Sequence, residues 1–201
     1  MKAGSLELHE LSCGAGQRVL FEALSLHLAA GQWASLRGHN GSGKSTLLRC
    51  VAGLGRPLSG VTHLHGNVLY QSHYAGWKDL LSPLENLAWQ MALDQGASKA
   101  KLGEAQLLRA IETVGIADQA KLPFVHLSAG QKRRLSMARL LLSQAPIWLL
   151  DEPTTALDAQ GQALCAQLLD AHLQNNGLAL VATHLDLPGL TPHLSVSLGG
   201  A

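Results

Sequence analysis

Gly38-His39-Asn40-Gly41-Ser42-Gly43-Lys44-Ser45 places its glycines, a lysine and a hydroxyl at the G-x-x-x-x-G-K-S/T spacing. That spacing suits the handling of a polyphosphate. A backbone that wraps phosphate oxygens turns successive N–H groups inward, and glycine does this without a Cβ clash. Lys44 adds a point charge for the β- and γ-phosphates, and Ser45 a hydroxyl placed to ligate Mg²⁺. Thr46 opens a helix whose positive end faces the same anion.

A second set of groups lies downstream. Asp151 and Glu152 close the apolar run Ile147-Trp148-Leu149-Leu150. An aspartate at the end of a buried strand can hold Mg²⁺ through its water shell, and the neighbouring glutamate can orient or deprotonate a water for in-line attack on the γ-phosphate. Two acids capping a surface strand is the plainer reading, and the phosphate loop upstream argues against it. His184 follows a second apolar run, 178–182, where an imidazole can contact the γ-phosphate or the attacking water.

Positioning these groups requires a sheet whose strands end together. Residues 33–36 read as a strand entering the loop, and 46–52 as a helix stopped by Gly53. The runs at 147–150 and 178–182 read as strands buried on both faces of a parallel sheet, whose C-terminal ends are where ligands bind. Residues 6–28 alternate as antiparallel strands joined by a Cys13-Gly14-Ala15-Gly16 turn, and 61–71 as one or two more strands. The stretch 77–144 is helical in pattern. It includes a start at Ser82-Pro83-Leu84-Glu85, with a capping serine and a glutamate three places on, a helix over 101–114 and another over 132–143. A last helix is expected over 163–173. The expectation is one α/β domain over 1–201: a mainly parallel core sheet, an N-terminal antiparallel β subdomain, and a helical lobe inserted at about 77–144.

Composition narrows the function classes. The 15 Lys and Arg nearly balance the 14 Asp and Glu, which argues against a basic nucleic-acid-binding surface. No apolar run approaches a membrane span, and the N-terminus lacks the apolar core of a secretion signal. Cys13, Cys50 and Cys165 form no C-x-x-C pair, which points to a reducing compartment rather than a disulfide frame or structural zinc. His63-Leu64-His65 puts two of the ten histidines on one face of a strand, either as a metal or haem contact or as a solvated face.

Leu127-Ser128-Ala129-Gly130-Gln131 resembles the LSGGQ signature of ATP-binding cassette (ABC) ATPases, with Ala129 in place of the first glycine. Asp151-Glu152-Pro153-Thr154-Thr155-Ala156-Leu157-Asp158 resembles that family's Walker B segment and D-loop, and Thr183-His184 its switch histidine. The order and spacing also match, and the resemblance covers nearly the whole chain.

It implies a P-loop NTPase of ABC type that binds ATP and Mg²⁺, with Ser45 and Asp151 on the metal and Glu152 and His184 catalytic. Nucleotide contacts would come from Gly38 to Thr46 and from Ser128, Gly130, Gln131 and Asp158. The resemblance further implies a head-to-tail homodimer that closes over ATP. The family's Q-loop glutamine position falls on His73, with Gln71 the second candidate. No aromatic ring stands near Cys13, where many members stack adenine.

Leu81-Ser82-Pro83-Leu84-Glu85-Asn86-Leu87, the compact length and His73 are together similar to the ATPase subunits of bacterial cytochrome c maturation systems, often described as haem exporters. This implies a peripheral protein on the cytoplasmic face of the inner membrane, attached only through integral-membrane permease subunits and acting on no nucleic acid. Tyr74, Trp77, Leu80, Leu81 and Trp89 would form either the partner surface or the lobe's own core.

Overall fold

The computed structural model of the 201-residue chain describes residues 4–16, 18–72, 76–95 and 102–199. They gather into two units, Met1–His73 with Ala145–Pro153 and Leu169–Ala201, and Tyr74–Gln144 with Thr154–Leu168. In chain order the elements are β1 (Ser5–Ala15), β2 (Arg18–Leu28), β3 (Trp33–Arg37), α1 (Lys44–Val51), β4 (Ser59–His65), β5 (Val68–Gln71), α2 (Pro83–Gln95), α3 (Glu104–Thr113), α4 (Ala129–Leu142), β6 (Ile147–Asp151), α5 (Ala159–Gln174), β7 (Leu178–Ala182) and β8 (Leu194–Ser197).

The first unit holds two sheets. The parallel one runs β5-β6-β7-β3-β8 and the antiparallel one β2-β1-β4. Every residue of β6 and β7 is buried, as apolar runs flanked on both faces must be. In β1, by contrast, Leu6 and Leu8 face inward and the intervening Glu7 does not. Leu6, Leu8, Leu28, Leu36, Leu47 and Leu48 meet in one core, each contributing roughly 2 kcal/mol of burial.

One sequence expectation changes here, and two features are added. The turn expected at residues 13–16 begins only at Gly16, because register shifts in the β1–β2 pairing and left-handed backbone at Glu10 and Ala23 let β1 run on as strand through Ala15. Cys13 is fully buried with its thiol 3.2 Å from that of Cys50, so its side chain offers no surface to adenine. The other added feature is β8, which forms an edge of the parallel sheet. Its Leu-Ser-Val-Ser alternation was the available signal, too short and too polar to stand out.

The second unit is helical, around Leu87, Ile111, Val114 and Leu135. Its helix starts follow from their caps. The Ser82 N–H donates to Glu85 Oε2 (2.8 Å) and the Glu85 N–H to Ser82 Oγ (3.3 Å), the reciprocal box expected from the sequence. Asn86, fully buried, accepts from Lys78 N–H and donates to the carbonyls of Lys78 and Leu81, fastening the chain ahead of α2. Arg139 of α4 makes a two-pronged contact with Asp94 of α2 at 2.7 and 2.8 Å.

Two boundaries move. α4 begins at Ala129 rather than residue 132, since Ser128 caps it by accepting from the Gln131 N–H. α5 begins at Ala159 rather than residue 163, since Asp158 Oδ1 accepts from the Gly161 N–H at 2.9 Å. Trp77 packs on Phe124 inside this unit, Leu80 is 87% exposed, and Trp89 is exposed beneath the Lys78 ammonium. The supposed aromatic surface is thus divided between core and solvent, and Tyr74 lies outside the described residues.

Candidate functional site

The phosphate loop joins β3 to α1, with left-handed or related backbone at Gly38, Gly41 and Gly43 (φ 145°, 84° and 104°). A Cβ on Gly38 would stand 2.4 Å from the Leu198 carbonyl oxygen and 2.5 Å from Ser42 Oγ, so only glycine fits there. The end of β8 thus backs the loop, a support the sequence reading missed. Ser42 Oγ is buried without a hydrogen-bond partner, an orphaned polar atom inside an anion cradle. Lys44, 7% exposed, donates from Nζ to the carbonyls of Gly38 (2.8 Å) and His39 (3.3 Å). His39, Asn40, Gly41 and Ser45 are open to solvent and Thr46 is half-buried. These features fit a nucleotide polyphosphate.

β6 delivers Asp151, 4% exposed, to its C-terminal end. Burial, and after it the Asp151 charge, holds the Tyr70 hydroxyl above the usual phenol range, opposed by Arg49. Glu152 is left-handed at φ 50°, conformational strain of about 1–3 kcal/mol for a non-glycine residue. Its N–H donates to the Ala182 carbonyl (2.9 Å), tying the turn to the end of β7.

His184 sits just beyond β7. The preceding Thr183 is fully buried, and its hydroxyl both donates to Leu185 O and accepts from Leu185 N–H. Arg37 and Asp186 pair across the same turn. These supports also escaped the sequence reading, because neither residue type marks a site by itself.

Nε2 of His184 lies 3.2 Å from Lys44 Nζ, 3.2 Å from Asn40 Oδ1 and 3.1 Å from Glu152 Oε1. One ring nitrogen cannot serve all three. Bare, it accepts from Lys44; protonated, it turns to the oxygens of Asn40 and Glu152. Phosphate loop, carboxylate and imidazole therefore meet at the C-terminal ends of β3, β6 and β7.

Gln71 ends β5 on the same edge. It is 2% exposed, and its Oε1 has no hydrogen-bond partner, a condition worth about 1–3 kcal/mol of instability unless something else satisfies it. His73, the favoured Q-loop candidate, lies outside the described residues. The hydroxyl of Ser45 and the carboxylate of Asp151 are hard oxygen donors. No group of three or more His, Cys, Asp or Glu among the described residues gathers into a cage. A donor set this sparse fits Mg²⁺, which keeps most of its water or substrate oxygens.

The remaining expected residues belong to the second unit. Ser128 caps α4 and Gln131 returns the bond, its Oε1 accepting from the Ser128 N–H at 2.8 Å. A Cβ on Gly130 would stand 3.1 Å from the Ala156 carbonyl oxygen, so Gly130 lies against the segment leading to Asp158. The Gly161 N–H and the Arg134 guanidinium, 2.8 Å away, hold the exposed Asp158 carboxyl below the usual range.

Residues 21–155 match the family described as ABC transporter. The chain is 40% identical over 195 residues to the cytochrome c biogenesis ATP-binding export protein CcmA of Haemophilus influenzae, covering 91% of this chain and 90% of that protein. It is 46% identical over 188 residues to the CcmA of Rhodopseudomonas palustris, covering 88% and 90%. Among solved structures, an ABC transporter ATP-binding protein from Pyrococcus furiosus superposes with a TM-score of 0.82 at 24% identity, over 96% of this chain and 97% of that one.

Proposed function

The chain belongs to the ABC transporter family, and on that premise we propose that it is the ATP-hydrolysing subunit of a c-type cytochrome biogenesis complex. It would couple ATP binding and hydrolysis to haem export or haem handling by integral-membrane partners. The observation that carries the reading is the meeting of Lys44, His184 and Glu152 within 3.2 Å contacts at one sheet edge. The names of the relatives add the pathway.

In this reading residues 38–46 cradle the phosphates, with Lys44 turning from the loop's own carbonyls to the β- and γ-oxygens. Ser45 and Asp151 would hold Mg²⁺, which supplies charge neutralisation on the phosphates. Glu152 accepts the proton of the attacking water, and His184 senses the γ-phosphate from beside Lys44. Gln71 offers its unpaired oxygen to the same water or metal shell, a part expected first of His73.

Ser128, Gly130 and Gln131 open a 14-residue helix whose positive N-terminal end suits an anion. They would close on ATP held by a second copy, with Asp158 at the same seam, so that ATP joins a head-to-tail homodimer. Residues 1–201 would act as one nucleotide-binding domain with its helical lobe at about 77–144. No helix among the described residues is long and apolar enough to cross a membrane. On this reading, attachment to the cytoplasmic face of the inner membrane would come through permease subunits, with no nucleic acid as partner.

Complementation tests the proposal. In cells lacking this gene, the wild-type chain restores covalent haem attachment to c-type cytochromes and Lys44→Ala does not. Full restoration by Lys44→Ala would refute it. An ATP-driven assembly module without transport passes the same test but shows no ATP-dependent haem flux in vesicles carrying the purified complex.

A further inference from the structure

The outward face of the antiparallel sheet carries a row of imidazoles around one carboxylate. Glu7 of β1 lies directly opposite His27 of β2 and directly opposite His63 of β4. His9 is two residues along β1 on the same face, and His65 two along β4. All four histidines are exposed. Glu7 Oε2 is 3.4 Å from His9 Nε2 and Oε1 is 3.7 Å from His27 Nε2, while the His9 and His63 rings meet edge-on with centroids 5.7 Å apart.

Those separations have a chemical meaning. Bonds of about 2.0–2.1 Å to a tetrahedral ion place its ligand atoms roughly 3.3–3.4 Å apart; the Glu7–His9 gap of 3.4 Å has that length, and the Glu7–His27 gap of 3.7 Å, from the other carboxylate oxygen, is longer. As simple ion pairs these contacts are exposed and contribute little. As ligands, His9 and His27 would have to move towards a common point, which their exposure permits. The strands that present them are fixed by Leu6, Leu8 and Leu64 packing on the other side.

We propose that Glu7, His9, His27 and His63 form a surface site for a divalent ion of the imidazole-preferring class, represented by Zn²⁺. The donors do not yet converge on a single point, so binding would draw His9 and His27 onto the carboxylate from opposite sides, with His63 as the further imidazole. The site lies outside the residues that carry the proposed ATPase chemistry and does not depend on that reading.

Isothermal titration of the untagged chain with Zn²⁺, without nucleotide, tests it. One equivalent is expected to bind, with at least tenfold weaker affinity in Glu7→Gln and in His27→Gln, and no measurable loss in His126→Gln, an exposed histidine of the other unit. Co²⁺ in place of Zn²⁺ is expected to give the intense visible absorption of four-coordinate nitrogen and oxygen ligation, abolished in the His9→Gln, His63→Gln double variant. Absence of stoichiometric binding, or equal binding by the Glu7, His27 and His126 variants, would overturn the proposal. Circular dichroism confirms that these surface variants remain folded.

Discussion

Nε2 of His184 approaches Oε1 of Glu152 to 3.1 Å, yet the pair is not aligned as a hydrogen bond, and Oε1 remains buried without one. A carboxylate held this way, on left-handed backbone beside a histidine, keeps its acceptor capacity for another donor. The proposed donor is the attacking water.

Replacing that carboxylate by an amide removes the base and leaves the shape. Glu152→Gln is expected to lower ATP turnover by roughly 10²–10⁴-fold while nucleotide affinity stays within a few fold. Phosphate release at saturating Mg-ATP measures the first and equilibrium dialysis the second. Turnover within twofold of wild type would remove Glu152 from the chemistry.

Lys44 is the loop's buried cation, and its Nζ already makes charge-assisted bonds to two carbonyls. Exchanging these for phosphate oxygens makes each bond stronger, because both partners are then charged. Lys44→Ala should weaken ATP binding by about 10–150-fold, the equivalent of 1.5–3 kcal/mol. Titration with a fluorescent ATP analogue reads it directly.

The groups proposed to do chemistry stand out in the sequence because their physics is local. A glycine loop, a lysine and acids after an apolar run announce themselves by spacing, and β3, β6 and β7 followed from their apolar runs. What stayed hidden depends on distant neighbours. β8 is a strand only because β3 offers it an edge, and Gly38 is crowded by Leu198 from the far end of the chain. Likewise, nothing local marks Cys13 as the inward partner of Cys50, or Gln71 as an oxygen left without a donor. Helix starts at Ser128 and Asp158 were misplaced by a turn for a simpler reason: cap residues lie outside the apolar periodicity that defines the helix.

His172 stacks flat on Trp148, with ring centroids 3.8 Å apart, and burial depresses its pKa from 6.5 to about 4 despite hydrogen bonds to backbone carbonyls. In the unfolded chain it protonates near its ordinary value, so between the two values unfolding takes up a proton and acid favours it. The contribution is complete above about pH 6.5 and is lost as pH falls towards 4, amounting to at most about 3 kcal/mol. Urea unfolding across this range should show His172→Phe with a flatter pH slope than wild type. Identical slopes would remove the histidine as the cause.

The same ring explains Gly177. A Cβ there would lie 2.2 Å from His172 Cε1, far inside contact distance. Gly177→Ala should therefore destabilise the fold by roughly 1–3 kcal/mol, seen as a lower urea midpoint with unchanged slope.

In the helical unit, Arg139 is 7% exposed and answers to Asp94. Asp94→Asn leaves the guanidinium short of its carboxylate and should cost about 2 kcal/mol, measured by thermal unfolding. A shift of the midpoint by less than a degree would mean that other groups already satisfy Arg139.

Light scattering of the Glu152→Gln chain with and without millimolar Mg-ATP tests the central claim most directly. The mass is expected to double on adding Mg-ATP and to stay monomeric when Lys44→Ala is added to the same chain. A chain that remains monomeric with Mg-ATP present, alone and beside its membrane partners, would contradict ATP-joined dimerisation and the coupling built on it.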